Sequence, residues 1–148
     1  MKTIFTLPVA LLIACASAHA ASASGWTDDY AKAVEKAKAE KKNILLDFTG
    51  SDWCGFCIAL DNEVFDTSKF KSWARQNAVL VKVDFPHGKK LSDKVKAQNA
   101  ELKEKFMKSG GFPTVVIIDP DGKEIARKRG YRPGTGPAAY LKELAPAK

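Results

Sequence analysis

The sequence predicts a three-layer α/β domain in which helices flank a central mixed β-sheet. Two observations support this prediction. Helical and strand patterns alternate along the chain, and no internal repeat or low-complexity linker interrupts them. The 128 residues that follow position 20 suffice for one compact core and are too few for two. We therefore expect a single domain that spans residues 26–148.

The sequence pattern of the first half of this domain predicts a helix, a strand and two further helices. Thr27 is a suitable N-cap for a first helix that ends near Lys41, because apolar residues recur at helical spacing through this segment. The apolar run from Asn43 to Thr49 predicts the first strand. The second helix carries two cysteines, and Asp66 or Thr67 is expected to cap the third.

The second half predicts three strands and two helices. A strand is expected over 78–85, and Ser92 or Asp93 begins a helix that ends at the glycine pair 110–111. The D-P-D-G segment at 119–122 predicts a hairpin turn. The last three elements are strands over 114–118 and 123–129 and a closing helix from near Pro137.

Two cysteines separated by two residues follow the first predicted strand, in the sequence W-C-G-F-C at 53–57. A three-residue turn places Cys54 at or near a helix start, where unpaired backbone N–H groups and the helix dipole favour a thiolate. Residues at i and i+3 share a helix face, so the sulfur of Cys57 can reach a mixed disulfide on Cys54 and expel the bound partner. This spacing predicts a redox dithiol that closes to a Cys54–Cys57 disulfide, with Cys54 attacking and Cys57 resolving.

A zinc half-site and an inert structural disulfide are the other interpretations of this spacing. Structural zinc requires four ligands, usually from a second Cys or His pair at motif spacing. The other Cys and His residues are Cys15, His19 and His87, and they form no such pair. We therefore expect neither a metal nor a cofactor, whereas the inert disulfide stays open.

Residues 1–20 have the pattern of a secretory signal peptide. A short basic start precedes an apolar run, Ile4 to Ala14, that is too short to span a membrane, and Ala18 to Ala20 offers a small-x-small cleavage site. A second interpretation is a bacterial lipobox at 12–15, which would place a diacylglycerol on Cys15. We expect a periplasmic or secreted protein, with membrane attachment only if Cys15 is lipidated.

The charge balance is basic, with 24 Lys and Arg against 17 Asp and Glu and a formal net charge of +7. The lysines fall mainly on helical faces, and export removes the usual nucleic-acid targets, so we interpret them as a solvated surface. A dithiol in an oxidising compartment must exchange electrons with a partner. The expected partners are cysteine-containing client proteins and a redox protein that reduces or oxidises the dithiol, and no nucleic acid is expected.

A second motif, G-F-P-T at 111–114, leads into the fourth predicted strand. With both motifs, the chain from Trp26 to Leu144 resembles the thioredoxin superfamily. It resembles in particular the secreted or periplasmic group that includes the C-terminal domain of the bacterial transmembrane thiol:disulfide interchange reductase. This resemblance implies a thioredoxin-like fold, a protein thiol-disulfide oxidoreductase, and a cis Pro113 that faces the cysteines. A long basic segment between Asp84 and Gly110 departs from thioredoxin.

The resemblance also implies a role for Asp47, which aligns with the buried carboxylate that thioredoxins use to manage the proton of the second cysteine, here Cys57. Burial raises the pKa of a carboxyl group, which suits it to accept a thiol proton near neutrality. The alternative is a structural carboxylate paired with Lys82 on the adjacent strand. The residues expected to bind substrate are Trp53, Phe56, Phe112 and Pro113.

Phe56 stands between the cysteines, where oxidising members of the superfamily often place a histidine. Phe56 adds no positive charge to stabilise a thiolate. We therefore expect a moderate to reducing reduction potential for the dithiol, which favours a reductase or isomerase. A thioredoxin-like binding module or a copper-handling chaperone is the alternative function, since a thiolate pair also suits Cu(I). The absence of a nearby Met or His ligand argues against that alternative.

Overall fold

The structure, a computed structural model, describes residues 25–144, so residues 1–24, which include the predicted signal peptide, and residues 145–148 lie outside the description. The strands are Trp26–Thr27 (β1), Asn43–Thr49 (β2), Ala78–Asp84 (β3), Thr114–Ile118 (β4) and Glu124–Arg129 (β5). The α-helices are Tyr30–Glu40 (α1), Gly55–Leu60 (α2), Ser68–Asn77 (α3), Asp93–Leu102 (α4) and Gly136–Leu144 (α5). Two π-helical turns, Asp61–Phe65 and Lys103–Met107, continue α2 and α4. Within residues 25–144, no helix has the length and apolar character needed to cross a membrane.

The five strands form one mixed sheet in the order β1-β3-β2-β4-β5. β1 and β2 pair with β3 in parallel, whereas β4 pairs antiparallel with both β2 and β5. The parallel neighbours β2 and β3 require a crossover, which α2 and α3 supply, whereas a hairpin suffices for the antiparallel pair β4–β5. The predicted three-layer α/β fold with a mixed sheet is confirmed.

Alternation along β2 divides the core into two layers. Ile44, Leu46 and Phe48 are fully buried among residues of α1, α4 and the turn that follows α4. Leu45 points to the opposite face, where α2, its π-helical turn, α3 and α5 pack. Period-2 alternation places Asp47 on this second face, under the helix that begins after Cys54. A shift of one residue would exchange the two faces, and burial of each large apolar side chain stabilises the register by about 2 kcal/mol.

The prediction that Thr27 caps the first helix is wrong. Thr27 belongs to β1, which pairs with Leu80 and Val81 of β3. The N-cap is Asp29, whose carboxylate accepts the backbone N–H of Lys32 at 3.1 Å. A two-residue strand carries too little pattern to compete with a helical periodicity that runs through it.

The other predicted boundaries lie within a few residues of the observed ones, except at the end of the helix that follows Ser92. Of the predicted caps, Thr67 is the N-cap of α3 and Ser92 is the N-cap of α4. The α-helix ends at Leu102 and continues as the π-helical turn to Met107. Lys108, with a φ of 50°, ends this turn before the predicted glycine pair.

Candidate active site

A disulfide joins Cys54 and Cys57 at the start of α2, with 5.2 Å between the Cα atoms. Cys54 is the N-cap of this helix, and its sulfur accepts the backbone N–H of Cys57 at a distance of 3.3 Å. The Cys54 residue is 7% exposed and Cys57 is 2% exposed. Cys54 is therefore the cysteine that is more open to solvent, and it lies where a helix N-terminus stabilises a thiolate.

The turn before the dithiol brings Trp53 against Gly50. The backbone N–H of Cys54 donates to the Gly50 carbonyl at 2.9 Å, and that of Trp53 donates to the same oxygen at 3.3 Å. A Cβ atom on Gly50 would lie 2.6 Å from Cζ2 and from Nε1 of Trp53, closer than real Cβ contacts. The absence of a side chain at Gly50 therefore lets the indole fold back over the turn.

Two carboxylates tie this turn to the segment that follows β3. Asp84 accepts the backbone N–H of Ser51 at 3.0 Å and the Ser51 hydroxyl at 2.6 Å. Asp52 accepts the backbone N–H groups of His87, Gly88 and Lys89, at 2.9, 2.6 and 3.3 Å. These hydrogen bonds, led by that from His87, lower the pKa of Asp52 below its usual value. Asp52 is thus a carboxylate near neutral pH and holds the loop against the dithiol turn.

Trp53 covers the junction between the turn and this loop. Its Nε1 donates to the carbonyl of Phe85 at 2.8 Å. The indole stacks on His87 at a centroid distance of 4.7 Å and meets the edge of Phe112 at 5.7 Å. The Trp53 residue still exposes 43% of its surface. The structure thus places Trp53 and Phe112 together beside the cysteines.

The remaining residues predicted to bind substrate are Pro113 and Phe56. The Phe112–Pro113 peptide bond is cis, and Pro113 is buried immediately before β4. Phe56 lies in the first turn of α2 and is 57% exposed. In the part of the chain that the structure describes, Phe56 stacks on no other aromatic ring, so it stands apart from the Trp53–Phe112 pair.

Asp47 lies buried beneath the dithiol helix and faces Lys82. Its Oδ2 is 2.9 Å from Lys82 Nζ, which also lies 2.6 Å from Oδ1 of Asp61. Burial raises the pKa of Asp47 to about 6, although the positive charge of Lys82 opposes this shift. The Asp47–Lys82 pair that sequence left as an alternative is therefore present, and Asp61 is a second carboxylate that the sequence did not indicate.

Lys82 remains a cation in this environment. Burial alone would lower its pKa, but the two carboxylates together raise the pKa above its usual value. The ammonium also lies over the rings of Trp26 and Phe65, with 4.3 and 5.4 Å to the centroids. Lys82 thus joins the sheet to Asp61, in the π-helical turn that continues the dithiol helix.

One oxygen of Asp47 is left over after this pairing. Within residues 25–144, Oδ1 of Asp47 and the hydroxyl of Tyr140 are both buried and have no hydrogen-bond partner. Burial raises the pKa of Tyr140 far above its usual value, and the charge of Asp47 adds to this shift. Tyr140 is therefore a neutral phenol close enough to Asp47 to feel its charge.

The sequence did not indicate the residues that fasten the site. Asp52 and Asp84 bind backbone and hydroxyl groups that lie 33 to 37 positions away along the chain. Acceptors of this kind leave no spacing pattern. The predicted absence of a metal also stays a prediction, although no group of three His, Cys, Asp or Glu residues within 25–144 could hold one.

Comparison with known proteins gives the same family at several levels. Residues 30–145 match the family described as a thioredoxin-like domain. The chain is 41% identical over 120 residues to the disulfide bond reductase DsbH of Chlamydia pneumoniae. This match covers 81% of this chain and 70% of that protein. It is 30% identical over 111 residues to the thioredoxin-related protein DsbJ of the same organism, across 75% of this chain and 32% of that protein.

Solved structures agree with these sequence matches. A structure described as DsbH oxidoreductase superposes with a TM-score of 0.73 at 41% identity, and the match covers 80% of each chain. The oxidised C-terminal domain of DsbD from Neisseria meningitidis superposes with a TM-score of 0.52 at 18% identity, over 76% of this chain and 86% of that one. This second similarity concerns the fold alone. The predicted thioredoxin-superfamily membership is confirmed, and the chain belongs to the family of thioredoxin-like domains.

Proposed function

We propose that the protein is a disulfide reductase that acts on cysteine-containing client proteins outside the cytoplasm. The class of the reaction, thiol-disulfide exchange, follows from its family and from the paired cysteines. The observation that carries the proposal is the position of Cys54 at the N-cap of α2, with the Cys57 N–H aimed at its sulfur at 3.3 Å. A sulfur in this position is a stabilised thiolate when the disulfide is open.

The reaction moves two electrons in two exchange steps. The Cys54 thiolate attacks one sulfur of a client disulfide, the client S–S bond breaks, and one client thiolate leaves. The Cys57 thiolate then attacks the Cys54 sulfur of the mixed disulfide and releases the second client thiolate. The client gains two electrons, and the protein ends with the Cys54–Cys57 disulfide of the present structure. A separate redox partner must return two electrons to the protein.

Asp47 is proposed to accept the proton of Cys57 before the second step. A thiol attacks as a thiolate, so the Cys57 proton needs an acceptor in a buried place. Asp47 lies on the sheet face that α2 covers, and burial raises its pKa to about 6. Its Oδ1 has no hydrogen-bond partner among the described residues, whereas Oδ2 is held by Lys82. Asp47 is thus an anion at neutral pH with one oxygen free.

Trp53, Phe56, Phe112 and Pro113 are proposed to contact the client. Trp53 and Phe112 meet edge to face beside the dithiol, and Phe56 projects from the first turn of α2 with 57% of its surface exposed. Exposed aromatic rings beside a reactive sulfur supply apolar contact area for an extended segment, and the backbone at Phe112 could pair with it as an added strand.

Two observations support reduction over oxidation. Phe56 brings no positive charge to the Cys54 thiolate, and a less stabilised thiolate makes the dithiol a better electron donor. The relative that is 41% identical over 120 residues is named a disulfide bond reductase. Both favour a protein that gives electrons to its clients.

Location outside the cytoplasm is proposed from residues 1–20, which have the pattern of a signal peptide cleaved after Ala20. Mass spectrometry of the mature protein from a bacterial host gives the N-terminus directly. Cleavage after Ala20 supports export by this route, whereas a diacylglycerol on Cys15 supports the lipoprotein alternative. An uncleaved, cytoplasmic chain would contradict both.

The reductase function is tested by reduction of insulin with dithiothreitol as the electron source. The wild-type protein should accelerate the precipitation of the free insulin B chain over dithiothreitol alone, and Cys54→Ala should not. A Cys54→Ala variant with full activity would show that Cys54 is not the attacking residue.

A further inference from the structure

A groove of about 430 Å³ opens beside the dithiol and reaches into the segment that follows β3. It is lined by Trp53, the residue before Cys54, and by Phe112, the residue before Pro113. The rest of its lining comes mainly from the loop after β3 and from α4. A client segment that meets Cys54 can therefore continue into this groove.

Trp53, Phe85 and Phe112 form an aromatic floor along the groove. The ring centroid of Phe85 is 5.5 Å from that of Phe112. Trp53 meets the edge of Phe112 and is fixed by the hydrogen bond from its Nε1 to the Phe85 carbonyl. This floor offers apolar contact area that stays in place before a ligand binds.

The rim of the groove is basic. Lys89, Lys96 and Lys103 line it. The Lys103 ammonium lies 5.2 Å from the ring centroid of Phe85 and 5.4 Å from that of Phe112, directly over the floor. Among residues 25–144, Lys89 and Lys103 form no ion pair, and Lys96 pairs only with the exposed Asp93. The two unpaired cations are thus available to a ligand.

The one acidic residue in the lining does not offset these charges at the surface. Asp84 is 7% exposed, and both of its carboxylate oxygens are bound by Ser51. The whole segment from 86 to 108 carries seven lysines against three acidic residues. This segment departs from thioredoxin, and three of its lysines, Lys89, Lys96 and Lys103, line the groove.

We propose that the groove binds the segment next to the target cysteine of a client protein, and that it selects segments with acidic and apolar side chains. Carboxylates would meet Lys89 and Lys103, and apolar side chains would lie on Trp53, Phe85 and Phe112. The proposal rests on the reductase function and specifies its substrate class. Charge complementarity of this kind acts on the encounter of the two partners and on selectivity, and it weakens as salt rises.

Three symmetrical peptide dimers, each linked by a single disulfide, provide the test. The cysteine is flanked by leucine and aspartate in the first, by leucine and asparagine in the second, and by leucine and lysine in the third. Because both halves of a dimer are identical, the groove meets the same flank whichever sulfur Cys54 attacks. Each turnover by the pre-reduced protein converts one dimer to two peptide thiols and closes the Cys54–Cys57 disulfide. The second-order rate constant is measured by acid quench and mass spectrometry.

The wild-type protein should reduce the aspartate dimer about fivefold faster than the asparagine dimer at low salt, as expected for one or two partly exposed ion pairs. The lysine dimer should be slowest, and the differences should shrink at high salt. The double variant Lys89→Gln with Lys103→Gln should lose the preference, and Lys103→Glu should reverse it. Lys105→Gln is the matched control, because Lys105 lies in the same π-helical turn as Lys103 but outside the groove.

Equal rates for the three dimers would overturn the groove proposal. An equal loss of preference in Lys105→Gln and in the double variant would also overturn it, since the overall charge of the protein would then be responsible. Failure to reduce the asparagine dimer at all would instead contradict the reductase function. The two proposals can therefore fail separately.

Discussion

The ammonium of Lys82 lies 2.9 Å from Oδ2 of Asp47, inside the layer between the sheet and the dithiol helix. The Asp47 side chain is 2% exposed and that of Lys82 is 22% exposed. The charge of Lys82 limits the rise in the pKa of Asp47 that burial causes. Burial and this pair together therefore set the pH at which the carboxylate can hold or release a proton.

Replacement of Asp47 by Asn should change how stability depends on pH. The pKa of Asp47 is about 6 in the folded protein and near 3.8 when the group is exposed. Between pH 3.8 and pH 6 the folded state therefore binds a proton on Asp47 that the unfolded state has released. Stability from this group is therefore lost as pH rises from 4 to 7. The unfolding free energy of wild type relative to Asp47→Asn should fall by roughly 3 kcal/mol over this range. Urea denaturation at several pH values measures this difference, and Asp66→Asn, a substitution of an exposed carboxylate, is the control. If the unfolding free energies of wild type and Asp47→Asn changed with pH in parallel, the raised pKa of Asp47 would be contradicted.

Replacement of Lys82 by Met should raise the pKa of Asp47 further. The variant removes the positive charge that opposes the shift, and it leaves Asp47 and Asp61 facing each other without a cation. Loss of one partner of a buried pair destabilises a protein by about 3 kcal/mol. Carboxyl carbon NMR titration and urea denaturation measure the two effects.

Lys71→Met is the matched control for this variant, because Lys71 pairs with Asp66 at the surface at 3.4 Å. It should change stability by less than about 1 kcal/mol. An Asp47 pKa that does not move in Lys82→Met would show that burial alone sets it.

Gly50→Ala should destabilise the protein through Trp53. The new methyl group would lie within 2.6 Å of the indole, so the ring must leave its hydrogen bond to the Phe85 carbonyl. We expect a loss of about 1–3 kcal/mol, the usual cost of overpacking. The same substitution in a Trp53→Ala background should cost little, and Gly55→Ala, whose Cβ would have nothing within 4 Å, should not destabilise. An equal cost of Gly50→Ala in both backgrounds would exclude contact with Trp53 as its cause.

Phe56→His should make the disulfide more oxidising. A partly protonated imidazole in the first turn of α2 would stabilise the Cys54 thiolate and hence the reduced form. A rise of ~30 mV in the reduction potential would correspond to about 1.4 kcal/mol. Equilibration with glutathione and titration of thiolate absorbance measure both changes. An unchanged or more reducing potential would show that another feature sets the poise.

Prediction from sequence succeeded where a local pattern determines the structure. The apolar runs of β2 and β4 predicted both ends of each strand correctly. The cysteine motif and the turn before it placed Cys54 at a helix start. It failed for β1, because two residues carry no periodicity of their own. Asp61 was missed as a partner of Lys82 because the pair joins the π-helical turn to β3 across 21 positions of the chain, and no local pattern marks such a pair. The contacts of Asp52 with residues 87–89 depend on the path of a loop, which local pattern does not determine.

The most direct test of the dithiol exchange is the covalent complex formed by a Cys57→Ala variant with a disulfide-bonded client such as insulin. Without Cys57 the second exchange step cannot occur, so the first mixed disulfide should accumulate. Peptide mapping by mass spectrometry should find Cys54 joined to a client cysteine. Full turnover by Cys57→Ala with no trapped complex would contradict the assignment of Cys54 as the attacking residue and Cys57 as the resolving one.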